Sequence, residues 1–544
     1  MKEKTIIGLI FFLHAIFGYG QVLQDDGILL APEQNRRPEN FQPINYKYSL
    51  EGLKDNFSEE MMKFAARQYE KVKEVNDKGK WKPTPESIDS HQAPEWFKDA
   101  KFGMFIDWGP WSVAGWAPKR EKGAMYPDWY EFRFDTDTAF LKYHQKNWGN
   151  DFKRDNFISL FTASKYQPQK LVEIAQDAGM KYIVPFCKHH GGFCLWSSSF
   201  TQRDAGDMGP KKDLIKPLVE ECKKEGLKFG FYFSIEEWDY PLIDGAGNLQ
   251  NRAWAEIKQY TPDLEKKSSG KIAVKNYATD YLVPQATEFI DKYDPDLLWY
   301  DGDMSTASPA ELHTYDITSY FYNKSEGRKE VAVNDRYGKQ DNKWFRSIRG
   351  DFFTNEYGDM EKEANQTIHA WEASRGISQS FGYNWQDKDE NVISSKEFID
   401  MFVDIVAQGG NLLLIVNLDG QGALPIVQEK RLKDIGKWLL VNGEGIYATR
   451  PFIHQIVGTV AFTRSKDNQY VYAILKEWPG QVLQLDGILP AEVSKIEMLG
   501  YDKPLEWVSS SKGTFVKLPV QLQDAKNRPC EHAWVLKIKL DAPQ

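Results

Sequence analysis

Asp296-Leu297-Leu298-Trp299-Tyr300-Asp301-Gly302 is a short apolar run that ends on a carboxylate and a glycine. It is too short for a helix and rich in aromatic residues, so it reads as a strand covered on both faces, with its acid at the carboxyl end. Seven further stretches have the same texture: Lys101–Trp108, Lys181–Lys188, Lys228–Ile235, Glu330–Asp335, Gly350–Glu356, Ile377–Asn384 and Asn411–Asn417. Between several of them, Lys170–Ala178, Lys212–Glu225, Thr279–Lys292 and Lys396–Gln408 carry helical period. Eight strands alternating with mostly helical connections predict an α/β fold, a (β/α)8-like barrel over residues 94–450.

Beyond Arg450 the pattern changes to alternating runs such as Gln469–Leu475 and Ala533–Leu540, broken by Gly and Pro. Residues 451–544 therefore read as a C-terminal β-sandwich that packs on the barrel. At the other end, Lys2 and Lys4 precede an apolar run from Ile6 to Phe17 and the small residues Gly18 and Gly20. That order is the signature of a signal peptide over 1–20, so the protein is expected to be exported, to the periplasm or the exterior. Residues 21–93 read as an N-terminal extension with one charged helix, Glu59–Asn76, and a proline-containing linker, Lys80–Ala93.

The chain has 544 residues, a net charge of −9 and 27% charged residues, a balance that fits a globular protein. The negative balance and the absence of a basic tail argue against a nucleic-acid partner. No later segment has the uncharged length needed to span a membrane. Cys187 and Cys194 flank His189 and His190, but this spacing matches no structural zinc pattern, and they read as buried thiols. Neither a metal nor a cofactor is expected. Aromatic residues make up 14% of the chain, enough to furnish platforms for sugar rings as well as a core.

In such a barrel the polar residues at the carboxyl ends of the strands form the active site. Those ends carry Asp107, His189, His190, Glu236, Glu237, Asp301, Asp303, Asp335, Arg336, Glu356 and Asn417, with Trp108, Trp129, Trp238, Trp299 and Phe381 nearby in sequence. Carboxylates with aromatic walls and no phosphate-binding glycine loop point to glycoside hydrolysis, which needs one ionised and one protonated carboxyl group. Asp301 is the candidate for the ionised member, although Asp-Gly is also a common turn pair. Glu356 is the candidate acid, because aromatic neighbours would raise its pKa by desolvation. Glu372, Glu237 and Asp128 compete for these roles.

Several segments resemble the α-L-fucosidases of glycoside hydrolase family 29. They are Ala100–Ile106, Asp128-Trp129-Tyr130, Lys188-His189-His190 with Gly192–Trp196, Leu298–Asp301, Val333–Arg336, Ser380–Asn384 and Gly410–Leu414. The resemblance implies a retaining mechanism with Asp301 as nucleophile and Glu356 as acid/base, acting on terminal α-L-fucosyl glycans. It also implies that His189, His190, Tyr232, Trp299 and Arg336 contact the sugar or the nucleophile, and that Phe105, Trp299 and Phe381 wall the C6 methyl group.

Three positions depart from the family pattern. Asp107 stands where the family carries a His that contacts the C4 hydroxyl, Gly191 replaces an Asp after the His pair, and Ile415–Leu418 replaces Asn-Val/Ile-Gly-Pro. An ionised Asp107 is smaller than His and only accepts hydrogen bonds. Near C4 to C6 it would admit the extra hydroxyl of α-L-galactose, so α-L-galactosidase activity is expected beside α-L-fucosidase activity. The competing expectation is a sugar-binding protein that has lost catalysis.

Overall fold

The computed structural model describes residues 28–42, 56–120, 123–243, 249–253, 269–302, 307–339, 350–357, 370–511 and 513–540. Residues 1–20, which read as a signal peptide, and Asp303 lie outside them. Eight parallel strands form the central sheet: β1 (Phe102–Asp107), β2 (Tyr182–Lys188), β3 (Lys228–Ser234), β4 (Leu297–Asp301), β5 (Ala332–Val333), β6 (Phe352–Glu356), β7 (Ala370–Gly376) and β8 (Asn411–Asn417). Their order is β5-β4-β3-β2-β1-β8-β7-β6, and a parallel bridge from Asn334 to Phe352 joins the two outermost strands. Every residue of β1, β2 and β8 is buried, which is why these strands read as apolar runs without alternation. The parallel register sets Asp107 beside Asn417, Asp301 beside Ser234 and Glu356 beside Ser374, so all these carboxyl ends share one rim.

Amphipathic helices cover the outside. Helix α1 (Asn56–Lys78) precedes the barrel, and α2 (Pro168–Asp177), α3 (Ile215–Lys224), α4 (Val283–Tyr293), α5 (Thr314–Ser325) and α6 (Ser395–Ala407) lead into β2, β3, β4, β5 and β8. Helix α6 starts where sequence chemistry says it should, with a capping box between Ser394 and Glu397, and it lays Phe402 5.1 Å from the ring of Phe102. No helix separates β5 from β6 or β6 from β7 among the described residues.

Two expectations need correction. The seventh strand is Ala370–Gly376, not Ile377–Asn384. It was illegible because Glu372 and Arg375 interrupt its apolar pattern; Glu372 is satisfied inside the barrel by Tyr182 and Trp299, and Arg375 by Asn355. Residues 377–384 form the loop beyond it, which brings Phe381 to the rim. The second concerns Lys80–Ala93, which is packed rather than a free linker. Trp81 is buried and donates to Glu326 at 3.0 Å, while His91 stacks on Tyr322 at 3.8 Å and meets Asp351 Oδ1 at 2.7 Å. Helix α1 is tied to α4 through Gln68, which donates to Thr287 at 3.1 Å.

The C-terminal strands are β9 (Thr449–Val457), β10 (Val460–Ser465), β11 (Tyr470–Leu475), β12 (Val482–Leu485), β13 (Ile496–Met498), β14 (Glu506–Ser510), β15 (Gly513–Lys517) and β16 (Trp534–Lys539). They form two antiparallel sheets, β9-β10-β11-β16-β13 and β12-β15-β14, around a core of their own that includes Val471, Leu483, Val516 and Ile538. Helix α7 (Ile426–Asn442) joins this unit to the barrel through Trp438, whose indole donates to Ala533 O at 2.9 Å. No helix among the described residues is long and apolar enough to cross a membrane.

Candidate active site

Asp301 closes β4 at the rim, and three donors converge on it. Tyr232, from the neighbouring β3, donates its hydroxyl to Oδ2 at 2.5 Å, His190 Nε2 lies 3.3 Å from the same oxygen, and Arg336 Nη1 lies 3.2 Å from Oδ1. Burial by itself would raise the Asp301 carboxyl. The His190 bond and charge, the Arg336 charge and the Tyr232 hydroxyl outweigh it and hold the group well below the usual carboxylate range. Gly302 is required next to it, because a Cβ there would come within 2.2 Å of Ile235.

The same arginine reaches the second carboxylate: Arg336 Nη2 is 2.6 Å from Glu356 Oε1. Its Nε donates to Thr354 at 2.9 Å, Thr354 donates to Asp335 at 2.8 Å, and the guanidinium lies 4.7 Å over the ring of Trp299. The guanidinium is thus fixed from the side and from below, and it sets the ends of β4 and β6 facing each other. Glu356 is less enclosed than Asp301. Its side chain keeps 26% of its surface, against 15% for Asp301, and sits at the mouth of the site.

The partners of His190 favour its charged form. Nδ1 lies 2.5 Å from Ser234 Oγ, which also reaches Glu236 O at 2.5 Å. Nε2 faces the Asp301 carboxylate at 3.3 Å. Burial pushes the His190 pKa down, but the bond to Asp301 and its charge raise it overall. A group whose pKa is raised on folding stabilises fully below its unfolded value and loses that contribution as pH climbs through its folded value. The stability gap between the wild type and His190→Phe is therefore expected to shrink from mildly acidic to alkaline pH, read by thermal unfolding. A constant gap would overturn the raised pKa.

A second group lies across the pocket. His189 Nε2 is 3.5 Å from Asp128 Oδ2, and burial together with the charge of His190 keeps His189 neutral. Burial pushes Asp128 up to about 7, and burial followed by the field of Asp128 lifts Asp107 well above the carboxylate range. The shift favours the neutral form of Asp107, which can donate as well as accept, over the expected ionised acceptor. Trp111, four residues on, donates its indole to Asp107 Oδ1 at 2.8 Å. Asp107 Oδ2, Asp128 Oδ1 and His189 Nδ1 are buried without a hydrogen-bond partner, which leaves them for polar groups of a ligand.

The floor is aromatic. Phe105 packs 4.9 Å from Trp299, 5.6 Å from Tyr232 and 4.7 Å from Phe186, while Phe381 lies higher, 6.4 Å from Phe186. Trp129 stands over His190 at 5.5 Å. Two competitors fall away. Glu372 is buried beneath the site, raised to about 7 by burial, and both its oxygens are taken by Tyr182 and Trp299. Glu237 is buried between Lys188 at 3.0 Å and Lys271 at 2.9 Å. Asp335 supports Thr354, and Asn417 is buried at the end of β8.

The supporting residues Ser234, Thr354 and Trp111 were not singled out from the sequence, and only the Asp107–Trp111 spacing could have indicated one of them. Beside Gly191 lies an acid from another segment: Glu131 Oε2 is 3.0 Å from the place a Cβ would occupy. Burial raises the thiols of Cys187 and Cys194, and among the described residues no group of three or more His, Cys, Asp or Glu converges to hold a metal ion.

The alpha-L-fucosidase family pattern matches residues 68–444, and that of the alpha-L-fucosidase C-terminal domain matches residues 454–539. Plasma alpha-L-fucosidase of Rattus norvegicus is 32% identical over 467 residues, which span 84% of this chain and 93% of its own. Tissue alpha-L-fucosidase of Homo sapiens is 30% identical over 474 residues, 86% of this chain and 94% of its own. The structure of Thermotoga maritima alpha-fucosidase in complex with a mechanism based inhibitor matches with a TM-score of 0.69 and 31% identity, covering 85% of this chain and 100% of that one. The likeness runs through the barrel and the C-terminal sheets alike, and the chain belongs to the alpha-L-fucosidase family of glycoside hydrolases and is a glycosidase.

Proposed function

We propose that the protein is an exported, exo-acting enzyme that releases terminal α-L-fucose from glycans by double displacement, with retention of configuration. The observation that carries this reading is the single guanidinium of Arg336 spanning both Asp301 and Glu356. In the first step Asp301 attacks the anomeric carbon and the glycosidic C–O bond breaks, while Glu356 gives its proton to the departing oxygen. In the second, Glu356 takes a proton from water, which attacks the same carbon and releases Asp301. Tyr232, His190 and Arg336 keep Asp301 ionised between turnovers, and Asp107, Asp128 and His189 offer their unpartnered atoms to the sugar hydroxyls. Export rests on the basic-then-apolar order of residues 1–20. The configuration of the first monosaccharide released, followed by NMR before mutarotation, tests the mechanism: the α anomer is expected, and the β anomer would exclude it.

A second reading is favoured by Asp107. Its Oδ2 is buried with no partner, beside the place where the C6 substituent is expected, so an α-L-galactoside would supply a hydroxyl that an α-L-fucoside lacks. A site with a polar group placed for a hydroxyl discriminates far more strongly than an apolar pocket does. Asp107→His is expected to lower the ratio of galactoside to fucoside kcat/KM by about tenfold or more, measured on the matched aryl glycosides. A wild type that cleaves only the fucoside would exclude this specificity.

A further inference from the structure

Glu356 is followed by a residue that packing alone does not explain. Tyr357 has φ +51°, a left-handed conformation that a bulky side chain rarely adopts, and it is nonetheless 39% exposed. Strain of this kind persists only where the surroundings fix it, and it concentrates at functional sites. Here the surroundings do fix it. The phenol oxygen accepts from Gly376 N–H at 2.9 Å, and a Cβ on Gly376 would lie 2.8 Å from that oxygen. The Arg375 guanidinium lies 5.4 Å over the ring and is itself held by Asn355 O at 2.7 Å and Ser374 O at 2.9 Å. The ring is therefore anchored at its tip and backed on one side, yet it still presents surface to solvent.

Its neighbours continue the same apolar rim. Phe381 lies 6.4 Å away at 58°, and Tyr126 stacks on Phe381 at 5.6 Å. Burial raises the Tyr126 hydroxyl, and the charge of Glu356 adds to that shift. On the reading of Glu356 as acid/base, its proton goes to the glycosidic oxygen, and the departing sugar must lie on the outer side of that carboxyl, next to residue 357. A flat ring face matches the C–H face of a pyranose.

We propose that Tyr357, with Tyr126 beyond Phe381, is the platform of a leaving-group subsite that binds the neutral pyranose to which the terminal unit is attached. The test compares α-L-fucosyl fluoride, which has no leaving sugar, with an α-L-fucosyl disaccharide. Tyr357→Gly removes the ring and suits the backbone, and Tyr357→Asn, which also tolerates positive φ, serves if the glycine variant unfolds. The ratio of disaccharide to fluoride kcat/KM is expected to fall about tenfold or more in Tyr357→Gly and to survive in Tyr357→Phe, which keeps the ring. Equal losses on both substrates, or a ratio lost equally in Tyr357→Phe, would overturn the platform. Disaccharide hydrolysis at the wild-type rate by Glu356→Gln would instead remove the acid/base reading on which it rests, and the two failures are separable.

Discussion

Asp301→Asn is expected to lower kcat on any α-L-fucoside by about 10⁴-fold or more, the scale on which losing a covalent nucleophile is felt. The amide keeps the shape of the side chain but not its charge, and the donors arranged by Tyr232, His190 and Arg336 then surround a group that cannot attack. The far-UV circular dichroism is expected to stay that of the wild type. Azide added to the smaller variant Asp301→Gly should occupy the vacated space and yield β-L-fucosyl azide, because it attacks from the nucleophile's side. Near-normal turnover in Asp301→Asn would reject the assignment, and α-L-fucosyl azide from Asp301→Gly would place the nucleophile elsewhere.

Glu356→Gln is expected to leave a different trace. General acid catalysis contributes about 10²- to 10⁴-fold, and it is needed most where the leaving oxygen is basic. Disaccharide hydrolysis should therefore fall by that amount, while an aryl fucoside with an acidic phenol loses far less in its first step. The glycosyl-enzyme then accumulates for want of a base, and azide, which needs none, should accelerate turnover and give α-L-fucosyl azide. The opposite anomers from the two positions distinguish the roles on one assay. Equal losses on all leaving groups, without azide rescue, would mean that Glu356 acts only as the second anchor of Arg336, to which it is bound at 2.6 Å.

Which competitor carboxylates matter was not legible from composition. Glu372, Glu237 and Asp128 are all acids near strand ends, and in sequence they look alike. In the barrel Glu372 is consumed by two donors beneath Trp299 and Glu237 is held by two lysines, while Asp128 keeps a buried oxygen without a hydrogen-bond partner. The same blindness hid β7: a charged residue inside a strand breaks the apolar pattern, and only a cross-barrel partner such as Tyr182 makes it tolerable. Asp107 is the subtler case. Its identity was plain in the sequence, but the upward shift of its pKa follows from burial and from the nearness of Asp128, neither of which has a local signature.

The sequence by itself determined the barrel, because buried parallel strands write apolar runs whose ends are marked by acids, and it placed Asp301 and Glu356 at two of those ends. It also marked the His pair and the aromatic residues that line the rim. Only the tertiary structure decided that one guanidinium joins the two acids, that Asp301 raises the pKa of His190, and that Glu356 lies more open than the buried Asp107. The physical reason is that local periodicity encodes which face a residue turns inward, whereas charge state and partnership depend on groups that the closure of the sheet brings in from distant segments.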